Sequence, residues 1–154
     1  MIDLKAICDG LAARFAAGTI TTPSGGQAMR KAYAAPPKSA PTVPCVILEV
    51  QDGQIIANPG QWKHELNIDV VFCYSKRQAD TIREDTERQR WVGSLLAATE
   101  AQMKIGLGAA TGYTVDKAIP TGWQFTEHNV AAVEFDAVRV HYTVYVTETV
   151  SPTP

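Results

Sequence analysis

Three cysteines and three histidines are the side chains of this sequence best suited to metal binding, nucleophilic attack or acid–base chemistry. The cysteines are Cys8, Cys45 and Cys73. They lie far apart in apolar segments, and neither Cys-x-x-Cys nor the paired Cys and His spacing of a zinc site occurs. We predict three small buried hydrophobic residues. His64 falls on the apolar face of a predicted strand and is predicted to be packed or hydrogen bonded, whereas His128 and His141 are predicted to lie at the surface.

Two glycine-containing segments resemble motifs that bind phosphate or carry a nucleophile. Gly106, Gly108 and Gly112 are spaced almost as in a dinucleotide-binding loop, but the third glycine is one position late. The segment also follows a predicted helix, whereas a phosphate loop follows a strand. Ser24 precedes two glycines but has no glycine two positions before it, as a nucleophile elbow requires. We predict a linker at the glycines and no catalytic serine.

One predicted helix concentrates acidic residues, and paired carboxylates can perform acid–base chemistry when burial separates their pKa values. The acidic residues are Asp80, Glu84, Asp85 and Glu87, and the basic residues interleaved with them are Lys76, Arg77, Arg83, Arg88 and Arg90. Such a mixture is typical of a solvated helix face or a polar subunit contact. We therefore predict that the chain is not an enzyme and holds no cofactor or metal.

Composition limits the classes of function further. The chain has 154 residues, enough for one core, and a net charge of −2 without a stretch rich in Lys and Arg. Specific DNA binding is not expected, because phosphates require such a stretch. No apolar run approaches the roughly 18 residues of a membrane span, so no membrane contact is expected. We predict one domain over residues 1–150, with an extended loop at 19–44, and a disordered tail at 151–154.

The elements begin with a helix over residues 3–17, for which Asp3 is a candidate N-cap. The clearest strand runs from Gln61 to Ser75, where polar and apolar residues alternate as in a sheet with one buried face. Before it, Cys45–Val50 is a predicted strand, and Asp52-Gly53 is a tight-turn signal leading into a second short strand. These segments predict an antiparallel meander.

A long helix is predicted from Lys76 to Met103, with Ser75 and Gln78 as a capping box and an apolar stripe in its second half. Strands follow at Tyr113–Ala118 and Trp123–Thr126. Residues 130–150 are predicted to form one long strand or a closing pair of strands. A bulge or turn is predicted near Asp136, because the apolar residues change there from odd to even positions. The predicted fold class is α+β, with an antiparallel sheet of about four to five strands packed against the long helix and the short N-terminal helix.

The order of these pieces resembles the tail terminator proteins of long-tailed bacteriophages, especially those of actinobacterial phages. The segments that carry the resemblance are Pro44-Cys45-Val46-Ile47-Leu48, Val70-Val71-Phe72-Cys73-Tyr74-Ser75, Trp91-Val92 with Leu95-Leu96, and the strand Val138 to Val146. The resemblance implies a hexameric ring that caps the tail tube, halts its polymerisation and joins the tail to the head. It implies location in the virion, after assembly in the host cytoplasm, and passage of DNA through the lumen without specific binding.

By the same resemblance, the partners are other copies of the chain, the tail tube protein and a head-tail connector or stopper protein. Contacts are placed on the 19–44 loop, the 51–60 hairpin region, the charged start of the long helix and a loop at 121–129. The candidate contact residues are Arg77, Arg83, Glu84, Glu87, Arg88, Asp52 and Trp123. Self-association through such polar, loop-borne surface is expected to be weakened by salt.

Two alternatives remain open at this point. One is a head-tail stopper, connector or minor tail protein of the phage neck. The other, from a different class, is a small α+β enzyme of the hot-dog type, which would offer a carboxylate or histidine near a helix N-terminus in an apolar pocket. In this sequence the start of the long helix is instead a mosaic of both charge signs.

Overall fold

The computed structural model describes residues 2–15, 31–76, 109–110 and 112–150, together with six helical residues between positions 89 and 97. The elements in chain order are α1 (Leu4–Phe15), β1 (Lys31–Tyr33), β2 (Cys45–Asn58), β3 (Gln61–Lys76), β4 (Ala109–Ala110), β5 (Tyr113–Val130) and β6 (Val133–Thr149). A short N-terminal helix and one sheet make the fold α+β, as predicted.

The sheet has the strand order β1-β2-β3-β6-β5-β4, with β4 only two residues long. β2, β3, β6 and β5 form an antiparallel meander, but β1 pairs with β2 in parallel. The prediction of a purely antiparallel sheet was therefore wrong, and the sheet is mixed. β1 lies inside the predicted 19–44 loop. Residues 34–44 separate the two strands, and parallel neighbours need a connection of about that length.

Helix α1 begins at the predicted cap. The backbone N–H of Ala6 donates to Asp3 Oδ1 at 2.9 Å, which satisfies one of the donors that every helix start leaves unpaired. Ile7, Leu11 and Phe15 are buried on one side of the helix. The ring of Phe15 meets that of Phe72 edge-on, with centroids 5.8 Å apart, so α1 packs against the C-terminal half of β3.

β2 is one continuous strand, and the predicted turn at Asp52-Gly53 was wrong. The register instead shifts between Val50 and Asp52, which is a bulge in the β2–β3 pairing. A Cβ atom on Gly53 would lie 3.1 Å from Leu66 Cδ2, so the glycine allows a close approach of the two strands. Residues 59 and 60 form the turn that separates β2 from β3.

β5 and β6 form a long hairpin. β5 runs without interruption from Tyr113 to Val130, so the predicted loop at 121–129 and the break before Trp123 were wrong. The hairpin turns at Ala131 and Ala132, both at positive φ. The irregularity predicted near Asp136 exists, but its extra residue is Tyr74 in the facing strand β3.

The two faces of the sheet differ, and we call them the helix-covered face and the polar face. The helix-covered face carries α1 and the larger buried cluster, in which Phe72, Ile68 and Leu95 are almost fully buried and Leu96 is half-buried. The polar face carries charged side chains over most of its length and a small apolar cluster at one end, which includes Val71 and Phe135. The apolar residues of β6 change from odd to even positions because the start of the strand packs in the apolar cluster of the polar face and the rest packs on the helix-covered face.

The predicted long helix is described at only six positions: Gln89, Val92, Gly93, Leu95, Leu96 and Ala97. Its length is therefore not confirmed, and its predicted start was wrong because Ser75 and Lys76 belong to β3. The other predicted helix residues lie outside the described part of the chain, as does the 151–154 tail. Among the described residues, no helix is long and apolar enough to cross a membrane.

Candidate functional site

The most concentrated group of ionisable side chains lies at the centre of the polar face. The register places Glu49 of β2 opposite Asp69 of β3, and Asp69 opposite His141 of β6. Arg139 lies two residues before His141 on β6, so both side chains are on the same face of the sheet. His128 reaches the group from β5. We call these five residues the Arg139 cluster.

Arg139 joins two carboxylates from two different strands. Its Nη1 atom donates to Glu49 Oε2 and to Asp69 Oδ2, both at 2.8 Å. The side chains of Arg139, Glu49 and Asp69 are 16%, 19% and 8% exposed, so these charge-assisted hydrogen bonds are only weakly screened by water. The guanidinium therefore links β2, β3 and β6 across the sheet.

His128 approaches the cluster as a neutral ring. Arg139 Nη2 lies 3.3 Å from His128 Nδ1, and because a guanidinium can only donate, Nδ1 is the acceptor. The proton is then on Nε2, 3.1 Å from Glu49 Oε1 but without hydrogen-bond geometry to any described residue. Burial, with the charge of Arg139 acting in the same direction, lowers the pKa of His128 despite the opposing effect of Glu49.

His141 and Asp69 form the pair that most resembles an acid–base dyad. Asp69 Oδ1 lies 2.6 Å from His141 Nδ1, and a buried carboxylate in this position orients the imidazole. The His141 side chain is 39% exposed. His141 does not line either of the two grooves reported below, but Gly122, which lines one of them, lies directly opposite it in the β5–β6 pairing.

A second buried pair lies on the helix-covered face. His64 Nε2 lies 2.8 Å from Glu148 Oε2, and both side chains are less than 10% exposed. The prediction of a packed or hydrogen-bonded His64 is confirmed. The prediction that His128 lies at the surface was wrong, because it is buried, and His141 is intermediate. Among the described residues, no group of three or more His, Cys, Asp or Glu is placed to hold a metal ion.

The cysteines are free and buried, as predicted. Cys45 and Cys73 lie directly opposite each other in the β2–β3 pairing and belong to the apolar cluster of the polar face. A hydrogen bond to Cys45, together with burial, raises the pKa of the Cys73 thiol. Burial likewise raises the pKa of Cys8. Raised pKa values make the Cys73 and Cys8 thiols poor nucleophiles. The hydrogen bond with Cys73 instead lowers the pKa of Cys45, which is fully buried.

Large apolar side chains are exposed mainly on the two outer long strands. β2 exposes Val50, Ile55 and Ile56 at 40%, 58% and 52%, and β5 exposes Ile119 and Trp123 at 40% and 46%. These strands lie near opposite edges of the sheet. Composition gave no signal for this distribution, which depends on which strands are outermost.

Two of the predicted contact residues are described, and they lie on these outer strands. Asp52 is exposed on β2, where it accepts a hydrogen bond from Asn67 Nδ2, and Trp123 is exposed on β5. The remaining candidates, Arg77, Arg83, Glu84, Glu87 and Arg88, lie outside the described residues. So do Ser24, Asp80, Asp85, Gly106 and Gly108. Gly112, at φ 91°, lies in the turn between β4 and β5, so no helix follows it as a phosphate loop would require.

Two open grooves are formed by described residues. One, of about 510 Å³, is lined by Leu96, Ala97, Pro120, Thr121, Gly122 and Trp123, with no ionisable side chain. The other, of about 490 Å³, lies at the far end of the polar face, between Ile56, Lys63, Lys117 and Tyr145. Lys117 Nζ lies 4.8 Å from the centre of the Tyr145 ring.

Known proteins give no assignment for this geometry. No protein-family model matches the chain, and no curated protein sequence matches it either. The side chains described above are therefore the basis of the function proposed below.

Proposed function

We propose that this chain is a structural subunit of a phage tail, which assembles as a hexameric ring, caps the tail tube, stops its polymerisation and joins the tail to the head. The observation that carries the proposal is the exposure of large apolar side chains on both outer long strands. Proteins that remain single in solution usually protect such edges with charge, proline or a covering element. A chain that leaves both edges apolar is suited to assembly.

The Arg139 cluster supports a structural role rather than a catalytic one. Its arginine is bound to two carboxylates, and Asp69 is also bound to His141. The partners of these groups are therefore within the protein itself. Likewise, none of the described residues that line the groove beside Trp123 is ionisable. A hot-dog-type enzyme would need a carboxylate or histidine in an apolar pocket.

The assignment to the tail terminator class comes from the resemblance of the sequence, which also suggests the partners: a tail tube protein and a head-tail connector or stopper protein. A ring of near-neutral subunits suits passage of DNA, because a lumen lined with Lys and Arg would retain phosphates. The net charge of −2 per chain agrees with this requirement. In this proposal the protein is located in the virion and DNA passes without being read.

Electron microscopy of virions assembled without this chain tests the proposal. Abnormally long tails without heads are expected for a terminator, and expression of the intact chain in the same cells should restore normal length. Tails of normal length beside unjoined heads would instead assign the chain to the stopper class. Complete virions of normal length would overturn both assignments.

A further inference from the structure

We propose that Cys45 and Cys73 form a disulfide across the β2–β3 pair when the chain meets a hydroperoxide, and that this bond ties the start of β2 to β3. Both thiols are free in the structure. The inference goes beyond the proposed function and does not depend on it, because it concerns only two neighbouring strands.

The register gives the two cysteines the geometry that a disulfide needs. Cys45 and Cys73 are direct partners in the antiparallel β2–β3 ladder. Direct partners have Cα atoms about 4.5 to 5.5 Å apart and side chains on the same face, and a disulfide spans Cα separations of about 4.4 to 6.8 Å. A hydrogen bond already joins the two thiols. The backbone can therefore stay in place when the two sulfur atoms bond.

The surroundings of the pair also suit a disulfide. Both cysteines are fully buried in the apolar cluster of the polar face, which contains Ile47 and Val71 as the next pair along the strands. The neighbour of Cys73 on β6 is Ala137, whose small side chain limits the steric cost of turning the Cys73 side chain. Because a disulfide has no S–H group, the bond also removes two weak donors from an apolar region.

Cys8 is separated from the pair by the sheet. It lies on α1, in the larger cluster of the helix-covered face, whereas Cys45 and Cys73 lie in the cluster of the polar face. A bond between Cys8 and either of the others would require the sheet to open. The fold therefore selects one pairing among its three cysteines.

Local opening gives a small oxidant access to the buried thiols. Cys45 is the first residue of β2, and Cys73 comes directly before the register shift in the β3–β6 pairing. Strand ends and bulges have fewer ladder hydrogen bonds than the middle of a sheet, so they open at a lower free-energy cost than global unfolding. We expect a reaction that takes hours rather than seconds, because only the open state reacts.

The reaction balances with hydrogen peroxide as the oxidant. The hydrogen bond with Cys73 lowers the pKa of Cys45, so Cys45 supplies the attacking thiolate. Its sulfur attacks one peroxide oxygen and the O–O bond breaks, which leaves a sulfenic acid on Cys45 and a hydroxide that takes up the proton Cys45 released. The Cys73 sulfur then attacks the Cys45 sulfur, the S–O bond breaks, and the departing hydroxide takes the Cys73 proton. Two thiols are oxidised, and one peroxide is reduced to two waters.

The bond makes the stability of the chain depend on its redox surroundings. The cytosol keeps thiols reduced, whereas extracellular conditions are oxidising. A link between residues 45 and 73 restricts the unfolded chain, so the oxidised protein resists unfolding more than the reduced protein. The covalent tie is therefore present only outside a reducing compartment.

Mass spectrometry of the folded chain after treatment with hydrogen peroxide tests the bond. The protein is afterwards unfolded in an alkylating reagent that labels every remaining thiol. We expect label on Cys8 alone and a cross-linked peptide that contains Cys45 and Cys73, and dithiothreitol should restore all three thiols. Three labelled cysteines after prolonged treatment, a link that includes Cys8, or sulfinic acid on Cys45 without a link would each overturn the inference.

Matched alanine variants and an unfolded control show whether the fold directs the pairing. Cys8→Ala should form the same disulfide as the intact chain, whereas Cys45→Ala and Cys73→Ala should form none. The intact chain oxidised in urea needs no substitution and should give a mixture of links that includes Cys8. If the folded chain gave that same mixture, the register would not select the pair, and the inference would fail even where a variant did not fold.

Urea unfolding of the oxidised and reduced chain measures the effect of the bond. Oxidation should raise the midpoint by about 1 to 2 M, because the link restricts the unfolded chain. Cys73→Ala, carried through the same peroxide treatment, should show no such rise. A lower midpoint for the oxidised intact chain would mean that the bond strains the β2–β3 pair, and would refute its role as a tie.

Discussion

Arg139 is the residue on which the polar face depends most. It donates to carboxylates on two neighbouring strands, and a slip of one residue in the β3–β6 register would turn it to the helix-covered face. Ion pairs that are partly buried add little net stability compared with apolar residues of the same size, but removing one partner leaves the others unpaired. The cluster therefore selects one register of the meander.

Replacing Arg139 by Met should lower the free energy of unfolding by about 3 kcal/mol, because Glu49 and Asp69 then remain nearly buried without a counter-charge. Urea denaturation at neutral pH measures the change. Lys63→Met removes an exposed cation from the same face of β3 and should change stability by less than about 1 kcal/mol. Equal effects of the two substitutions would contradict the role given to Arg139.

His128 should make stability depend on pH. Its pKa in the folded protein is lowered from 6.5, chiefly by burial, so the unfolded chain binds the proton more readily. The contribution of this residue is complete above pH 6.5 and decreases as the pH falls through 6.5 towards the lower folded value. Urea unfolding at pH 7.5 and 5.5, near either side of that value, should show a larger loss for the intact chain than for His128→Gln. A loss of equal size in both proteins would refute the assignment.

At the scale of elements, the sequence correctly predicted the helix and the strand that are determined by the local pattern of apolar and polar residues. α1 with its Asp3 cap and the alternating strand β3 were both predicted nearly to their ends. Asp52-Gly53 was misread because Asp-Gly usually marks a hairpin, whereas here Gly53 provides space against Leu66 in a continuing strand. A local signal cannot distinguish these outcomes, since the difference lies in a contact with another strand.

The turn between β5 and β6 contains strain that can be removed. Ala131 and Ala132 have φ values of 50° and 64°, which cost an alanine about 1 kcal/mol each relative to glycine. The double substitution Ala131→Asn with Ala132→Gly supplies the pair preferred when both turn residues have positive φ, and should raise the free energy of unfolding by about 1 kcal/mol. Ala13→Gly in α1 is the control, and should lower it by about 1 kcal/mol. Destabilisation by the turn substitutions would contradict the turn geometry.

At the scale of the whole molecule, the sequence could not reveal the cluster or the edges. Glu49, Asp69, His128 and Arg139 are brought together by pairing between strands that are distant in sequence. In the same way, β2 and β5 become outer strands only through the order β1-β2-β3-β6-β5-β4. Sequence patterning had favoured a polar, loop-borne contact surface. The exposed residues Ile55, Ile56 and Trp123 favour the strand edges instead.

The effect of salt concentration distinguishes association through charged loops from association through the strand edges. Contacts between charges at residues 77–90 would weaken between about 0.05 and 0.5 M salt, because the screening length falls several-fold over that range. Association through the exposed apolar side chains of the outer strands buries apolar surface, which salt does not screen, so the dissociation constant should stay nearly constant or decrease. Sedimentation velocity across a concentration series at both salt levels measures it. Dissociation of the oligomer at high salt would place the contact on the charged segment and remove the support that the exposed edges give to assembly.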